Sequence, residues 1–153
     1  MIRKILHRIG VSGNPILRAI AILMAFPIEI AQFRLLKTQK NRDVIDLVEK
    51  IKKEKSSRMW PDEMVQIYNC SSLAKKLSGD FAEVGVYRGK SAKLICESKG
   101  YKPFHLFDTF EGLPEPGPED DRLLLKKQYM ARLDLVKTYL SSYKNVTFNH
   151  GIF

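Results

Sequence analysis

The chain has little of what marks several common protein classes. Two cysteines in 153 residues, Cys70 and Cys96, form no C-x-x-C and have no His near them at metal-ligand spacing. That excludes a disulfide scaffold and a zinc-finger pattern, and reads as two buried thiols in a reducing cytosol. There is no internal repeat and no low-complexity tract. With 44% apolar residues the chain does not have the composition of a disordered segment. The longest uninterrupted apolar run, Ala19 to Ile28, is ten residues, where a spanning helix needs about 20. Arg18, Glu29, Gln32 and Arg34 bracket it, and Pro27 is expected to kink or end the helix. A secretory signal is disfavoured too: Arg3, Lys4 and Arg8 could form its basic start, but no A-x-A cleavage site follows Phe26.

What is present in excess is positive charge, and it is unevenly placed. Residues 1–58 hold 13 Lys/Arg against 5 Asp/Glu, whereas residues 59–153 hold 13 against 12. The boundary predicts a basic helical arm over 1–58 and a nearly neutral α/β domain over 59–153. The arm is expected to pack on its own domain or on a second subunit, with peripheral membrane contact through residues 1–36 as an alternative. Nucleic acid is not expected as a partner, since aromatics are not interleaved with the basic residues as a stacking platform requires. Within the arm, Val44, Leu47, Val48 and Ile51 predict a one-faced helix from Asp43 to Lys55, after a turn at Ser12-Gly13-Asn14-Pro15.

Beyond the arm, Trp60-Pro61-Asp62-Glu63 starts a helix that ends near Gly79 and faces inward with Met64, Ile67, Tyr68, Ser71 and Ala74. Phe81 to Val86 then reads as a strand buried on both faces. Glu83 interrupts it, and an acid there costs several kcal/mol unless it has a partner, of order ~5. Gly85 and Gly89 leave room for a ligand near the backbone, and a helix begins at Lys90-Ser91. A second strand, Phe104–Phe107, ends at Asp108, a carboxylate placed to take both hydroxyls of a ribose. A helix over Lys126–Tyr143, carrying Tyr129, Leu133, Val136 and Leu140, leads to a third strand over Asn145–His150. The order β-α-β-α-β predicts a parallel sheet.

The spacing Glu83-x-Gly85-x-x-x-Gly89 differs from the dinucleotide fingerprint and suits S-adenosylmethionine better. Asp80-Phe-Ala-Glu-Val-Gly-Val-Tyr-Arg-Gly89 and Phe107-Asp-Thr-Phe-Glu-Gly-Leu-Pro114 resemble the macrocin O-methyltransferase family (TylF/MycF type), as does the close at Val146–Phe153. The resemblance covers about residues 60–153. It implies a Rossmann-like class I methyltransferase sheet and methyl transfer from S-adenosylmethionine to a sugar or glycan hydroxyl. It further implies that Glu83, Gly85, Val86, Tyr87, Gly89 and Ser91 shape the methionine end of the cofactor site. Asp108 would hold the ribose with Thr109 beside it, and Glu111–Asp121 would be a nearby solvated loop. The family pattern continues past the third strand, so the chain is expected to be truncated there. On that reading the Mg²⁺ ligands and the acceptor half lie beyond Phe153, His150 is structural, and the chain alone turns nothing over. The alternative is a noncatalytic Rossmann-like fragment serving as a binding or dimerisation module, and a homo-oligomer suits either. The expected setting is cytoplasmic, with membrane association through residues 1–36. An exposed strand-end carboxylate packs little, so Asp108→Ala is expected to abolish cofactor binding and spare the fold.

Overall fold

The structure is a computed structural model that describes residues 5, 6, 9, 14–38, 41–54, 59–118 and 126–153. Arg3, Lys4, Arg8, Ser12, Gly13, Lys55 and Glu119–Asp121, on which some of the expectations above rest, lie outside the described residues. The chain forms two compact units, one from 1–62 with 114–128 and the other from 63–113 with 129–153.

The first unit holds α1 (Pro15–Lys37) and α2 (Arg42–Glu54). Asn14 caps α1 by accepting hydrogen bonds from the amides of Ile16 at 2.9 Å and Leu17 at 3.4 Å, and Pro15 fills the first turn. Contrary to expectation, α1 runs through Pro27 without ending. A proline removes one ladder bond and crowds the preceding turn, but this helix is held on both sides of it. Ala21 is buried before the proline, and after it Glu29 pairs with Lys52 of α2 at 2.9 Å. The resulting 23-residue helix is long and apolar enough to cross a membrane, by length and composition. On α2 the buried stripe is Ile45, Val48 and Ile51, with Val44 and Leu47 at its margin. That is the 3–4 spacing of one helical face.

The second unit is α/β. Its sheet, among the described residues, is three parallel strands in the order β1 (Phe81–Val84), β2 (Phe104–Asp108), β3 (Val146–His150). Phe81 lies beside Phe104, and Phe104 beside Val146. Helices α3 (Pro61–Ala74), α4 (Lys90–Ser98) and α5 (Leu133–Tyr139) complete it. The core gathers Phe104 and Leu106 of β2, Ala92 and Cys96 of α4, and Val136 of α5, with Leu140 just beyond it. The hydroxyls of Ser71 and Ser98 join α3 to α4 in a buried hydrogen bond. At the amino ends of the strands, the ammonium of Lys99, 2% exposed, donates to the carbonyls of Lys102 at 2.7 Å, Lys144 at 3.1 Å and Gly100 at 3.4 Å.

Three expectations change here. Strand β1 is covered on one face only: Phe81 and Glu83 are partly buried, while Ala82 is exposed and Val84 is 72% exposed. The apolar run misleads because hydrophobicity alone cannot tell two covered faces from one. Next, α5 is seven residues long, not eighteen. Lys127 and Tyr129 take positive φ of 60° and 63°, so the chain turns before the helix starts. Leu133, Val136 and Leu140 nonetheless pack on the core as their spacing requires. Finally, Cys96 is buried but Cys70 is exposed on α3. Burial pushes the Cys96 thiol up to about 12, so it is an inert packing group.

Gly89 owes its identity to this core. Its φ is +78°, and a Cβ there would stand 3.1 Å from Val136 Cγ1, with Leu140 and Tyr139 at 3.6 Å. Gly85 has a φ of +87°, and a Cβ there would meet nothing within 4 Å. Gly89→Ala is therefore expected to cost about 3 kcal/mol, from backbone strain plus overpacking against α5. Gly85→Ala should cost about 1 kcal/mol, from backbone strain alone. Urea denaturation of both variants measures the difference, and equal losses would refute the assignment.

Candidate functional site

In open parallel sheets, ligands sit outside the carboxyl ends of the strands, where the connecting loops diverge. Here that end is built from the β1–α4 turn, Gly85 to Gly89, and the β2 loop, Asp108 to Gly112. Both are tightly wound. Gly85, Gly89 and Gly112 have positive φ, and so do two residues with side chains, Tyr87 at 50° and Phe110 at 53°. A non-glycine residue in that region costs about 1–2 kcal/mol and persists only where its surroundings hold it.

What holds both is Asp108. Its Oδ2 accepts the amide hydrogens of Val86 at 2.6 Å and Tyr87 at 2.8 Å, and its Oδ1 accepts that of Phe110 at 2.7 Å. The Gly85 amide also donates to the Phe107 carbonyl at 2.8 Å, extending the ladder one residue past β1. A single carboxylate thus ties two loops from two strands, and both strained residues are among those it binds. This differs from the expected free strand-end acid. A carboxylate has about four acceptor positions, and the three amides leave about one for a ligand hydroxyl, not the two a ribose pair would use.

Glu83 is the second acid. Ser91, in the first turn of α4, donates its hydroxyl to Glu83 Oε1. Oε2 is buried and has no hydrogen-bond partner among the described residues. Burial pushes the Glu83 carboxyl up to about 7; the Ser91 hydrogen bond opposes the rise and the negative charge of Asp108 adds to it. A buried carboxylate oxygen without a donor is rare in folded proteins and calls for a proton, a cation or a ligand hydrogen.

The remaining expected residues divide between open space and structure. Gly85 borders open space on the side where a side chain would be, as a ligand approach requires. Gly89 does not: its bare Cα faces α5, where a methyl group would press tightly on Val136. Val86 keeps its side chain in the core at 2% exposure and offers only its amide to Asp108. The Tyr87 ring stands edge-on to Tyr129 at 5.6 Å, with the Arg88 guanidinium 5.1 Å from its centre. Thr109 closes its own loop, donating to the Gly112 carbonyl at 3.1 Å and accepting from the Glu111 amide at 3.3 Å. His150 is exposed, tilted against Phe110 and 3.8 Å from Glu111. Among the described residues no group of three or more His, Cys, Asp or Glu stands close enough to hold a metal ion. The strained Phe110 went unnoticed in the sequence. An Asp followed two residues on by the amide it accepts is an Asx turn, and Asp108 before Gly112 was the available signal.

No protein-family model matches the chain, and no curated protein matches it significantly.

Proposed function

We propose that the second unit binds S-adenosylmethionine and serves O-methyl transfer to a sugar or glycan hydroxyl. The observation that carries this reading is the buried Oε2 of Glu83, without a partner among the described residues, at the carboxyl end of β1, two residues before a glycine that borders open space. The motif resemblance around Glu83 and Asp108 supplies the chemical class. When bound, the cofactor would supply a methyl group on a positively charged sulfur, for an acceptor oxygen aligned with it.

In this proposal Glu83 accepts a hydrogen from the cofactor's ammonium group, which places a cation beside a carboxylate that lacks one. Ser91 orients Glu83, and the bare Gly85 lets the ligand lie against the backbone. Asp108 acts mainly by shaping the two loops, with its remaining acceptor position available to a ribose hydroxyl. No general base is assigned, and Mg²⁺, if the family chemistry holds, would need ligands other than these. The proposed setting is the cytoplasm.

Titration calorimetry of the 153-residue chain with S-adenosylhomocysteine tests the proposal, since this product keeps the ammonium and ribose and needs no acceptor. Micromolar affinity is expected, weakened about tenfold in Glu83→Gln through loss of one charge-assisted hydrogen bond. A cooperatively folded chain that binds nothing, or a variant of equal affinity, would overturn it. The second reading, a noncatalytic module that pairs with a second copy, draws on the exposed Val84 and on an outer edge of β1 that no strand pairs among the described residues.

A further inference from the structure

Helix α1 carries an apolar face that stands exposed among the described residues. Its buried side holds Ala21, Gln32 and Leu36, with Glu29 turned the same way toward Lys52. At 3.6 residues per turn, the opposite side carries Ile16, Ile20, Leu23, Pro27 and Ile30, with Phe26 at its border. These are not glancing exposures: Ile16 is 69% exposed, Leu23 76% and Phe26 62%. The two charges within the run, Arg18 and Glu29, both fall on the α2 side by the same geometry. The open face is thus uncharged from Ile16 to Ile30, about 21 Å of helix, and Arg34 closes it at the end.

The charge of the segment selects the occupant of this face. The segment that carries it, residues 1–58, has 13 Lys/Arg against 5 Asp/Glu. A second copy of the chain would bring a segment of the same positive charge, whereas an anionic lipid surface complements it. The ion pairs decide how the helix lies. Lys52 bonds Glu29 at 2.9 Å and the Met59 carbonyl at 2.9 Å, and Lys37 bonds Glu49 at 2.7 Å, so α2 runs alongside the middle and end of α1. A spanning α1 would carry the exposed Asp46, Lys50, Lys53 and Glu54 of α2 toward hydrocarbon or break those pairs. A helix lying in the interface keeps both: the apolar face in the acyl boundary, α2 in water.

We infer that α1 is a monotopic membrane anchor, docking its Ile16–Ile30 face into an anionic bilayer while α2 stays on the aqueous side. The chain associates with lipid without crossing it. The test is cosedimentation of the full chain with phosphatidylcholine vesicles, with and without 30% phosphatidylglycerol as on the order of a natural anionic fraction, at low and high salt. Binding to the anionic vesicles is expected, released in part by salt and fully by alkaline carbonate. Leu23→Glu, at an exposed position that leaves the fold intact by circular dichroism, should weaken it about tenfold or more through the lost apolar transfer.

Four results would overturn the inference. A folded chain that pellets with neither vesicle has no membrane face. Binding that Leu23→Glu leaves unchanged is electrostatic adhesion of the basic arm, which nucleic acid would share. Resistance to alkaline carbonate makes α1 a span. If light scattering instead finds a dimer that Leu23→Glu dissociates, with no lipid binding, a second copy covers the face.

Discussion

Asp108→Ala is expected to remove about 4 kcal/mol of stability, a large part of what a domain of this size has in total. The variant deprives the amides of Val86, Tyr87 and Phe110 of a shared acceptor. Hydrogen bonds to a charged group contribute roughly 1.5–3 kcal/mol each, reduced here because Asp108 is only partly buried and water replaces some of the loss. Two of the freed amides belong to residues with positive φ, so their strain is released as the loops relax. Asp108→Asn separates charge from geometry. Its single carbonyl oxygen can still serve Val86 and Tyr87, but its amide group then faces the Phe110 N–H donor to donor. About half the alanine loss is expected. Urea denaturation of the three proteins decides it. An alanine variant within about 0.5 kcal/mol of wild type, the usual range for an uninvolved surface position, would restore the picture of an acid kept free for ligand.

The second large effect runs in the opposite direction. Glu83→Gln should stabilise the chain at pH 8 by about 3 kcal/mol and change little at pH 4. The sign follows from proton counting. The folded-state carboxyl titrates near 7 and the unfolded one near its ordinary 4.5, so the folded chain binds more protons between those values. Stability attributable to Glu83 is therefore complete below about pH 4.5, falls as pH rises through 7, and is level above. A glutamine carries no such titration, and its oxygen still accepts the Ser91 hydroxyl. The difference between the wild-type and variant stability curves isolates this group from all other acids. Parallel curves from pH 4 to 8 would mean that Glu83 already has a cation or donor in the folded chain.

These effects mark where the sequence could be read and where it could not. The alternation of strands and helices was legible because the apolar runs are bounded by glycine, or before β3 by Lys144-Asn145, and β1, β2, α4 and β3 fall where that pattern puts them. Boundaries failed where backbone conformation overrode periodicity. Tyr129 and Leu133 look like one helical face, yet Tyr129 itself is left-handed and Arg132 is extended, so the helix starts only at Leu133. Pro27 reads as a helix end, but packing and an ion pair on either side of it keep the helix continuous. At the site, residue identities were legible and their partners were not. Gly89 reads the same whether a ligand or Val136 approaches it, and only the 3.1 Å distance to a would-be Cβ distinguishes them. Asp108 reads as a ligand-binding acid because, beyond its local turn to Phe110, the amides it gathers come from positions 86 and 87, which no spacing rule brings to it.

The opposite end of the sheet carries a lesson in shape. Lys99 spreads three hydrogens tetrahedrally from one nitrogen, and three carbonyl oxygens surround it like the feet of a tripod. Arginine has the same charge and more donors, but they lie in one plane and on a larger head. A planar guanidinium does not reproduce this spread of donors from a single nitrogen. What the position selects is a point source of hydrogens, so Lys-to-Arg exchange, the mildest swap on any charge scale, is here a change of geometry.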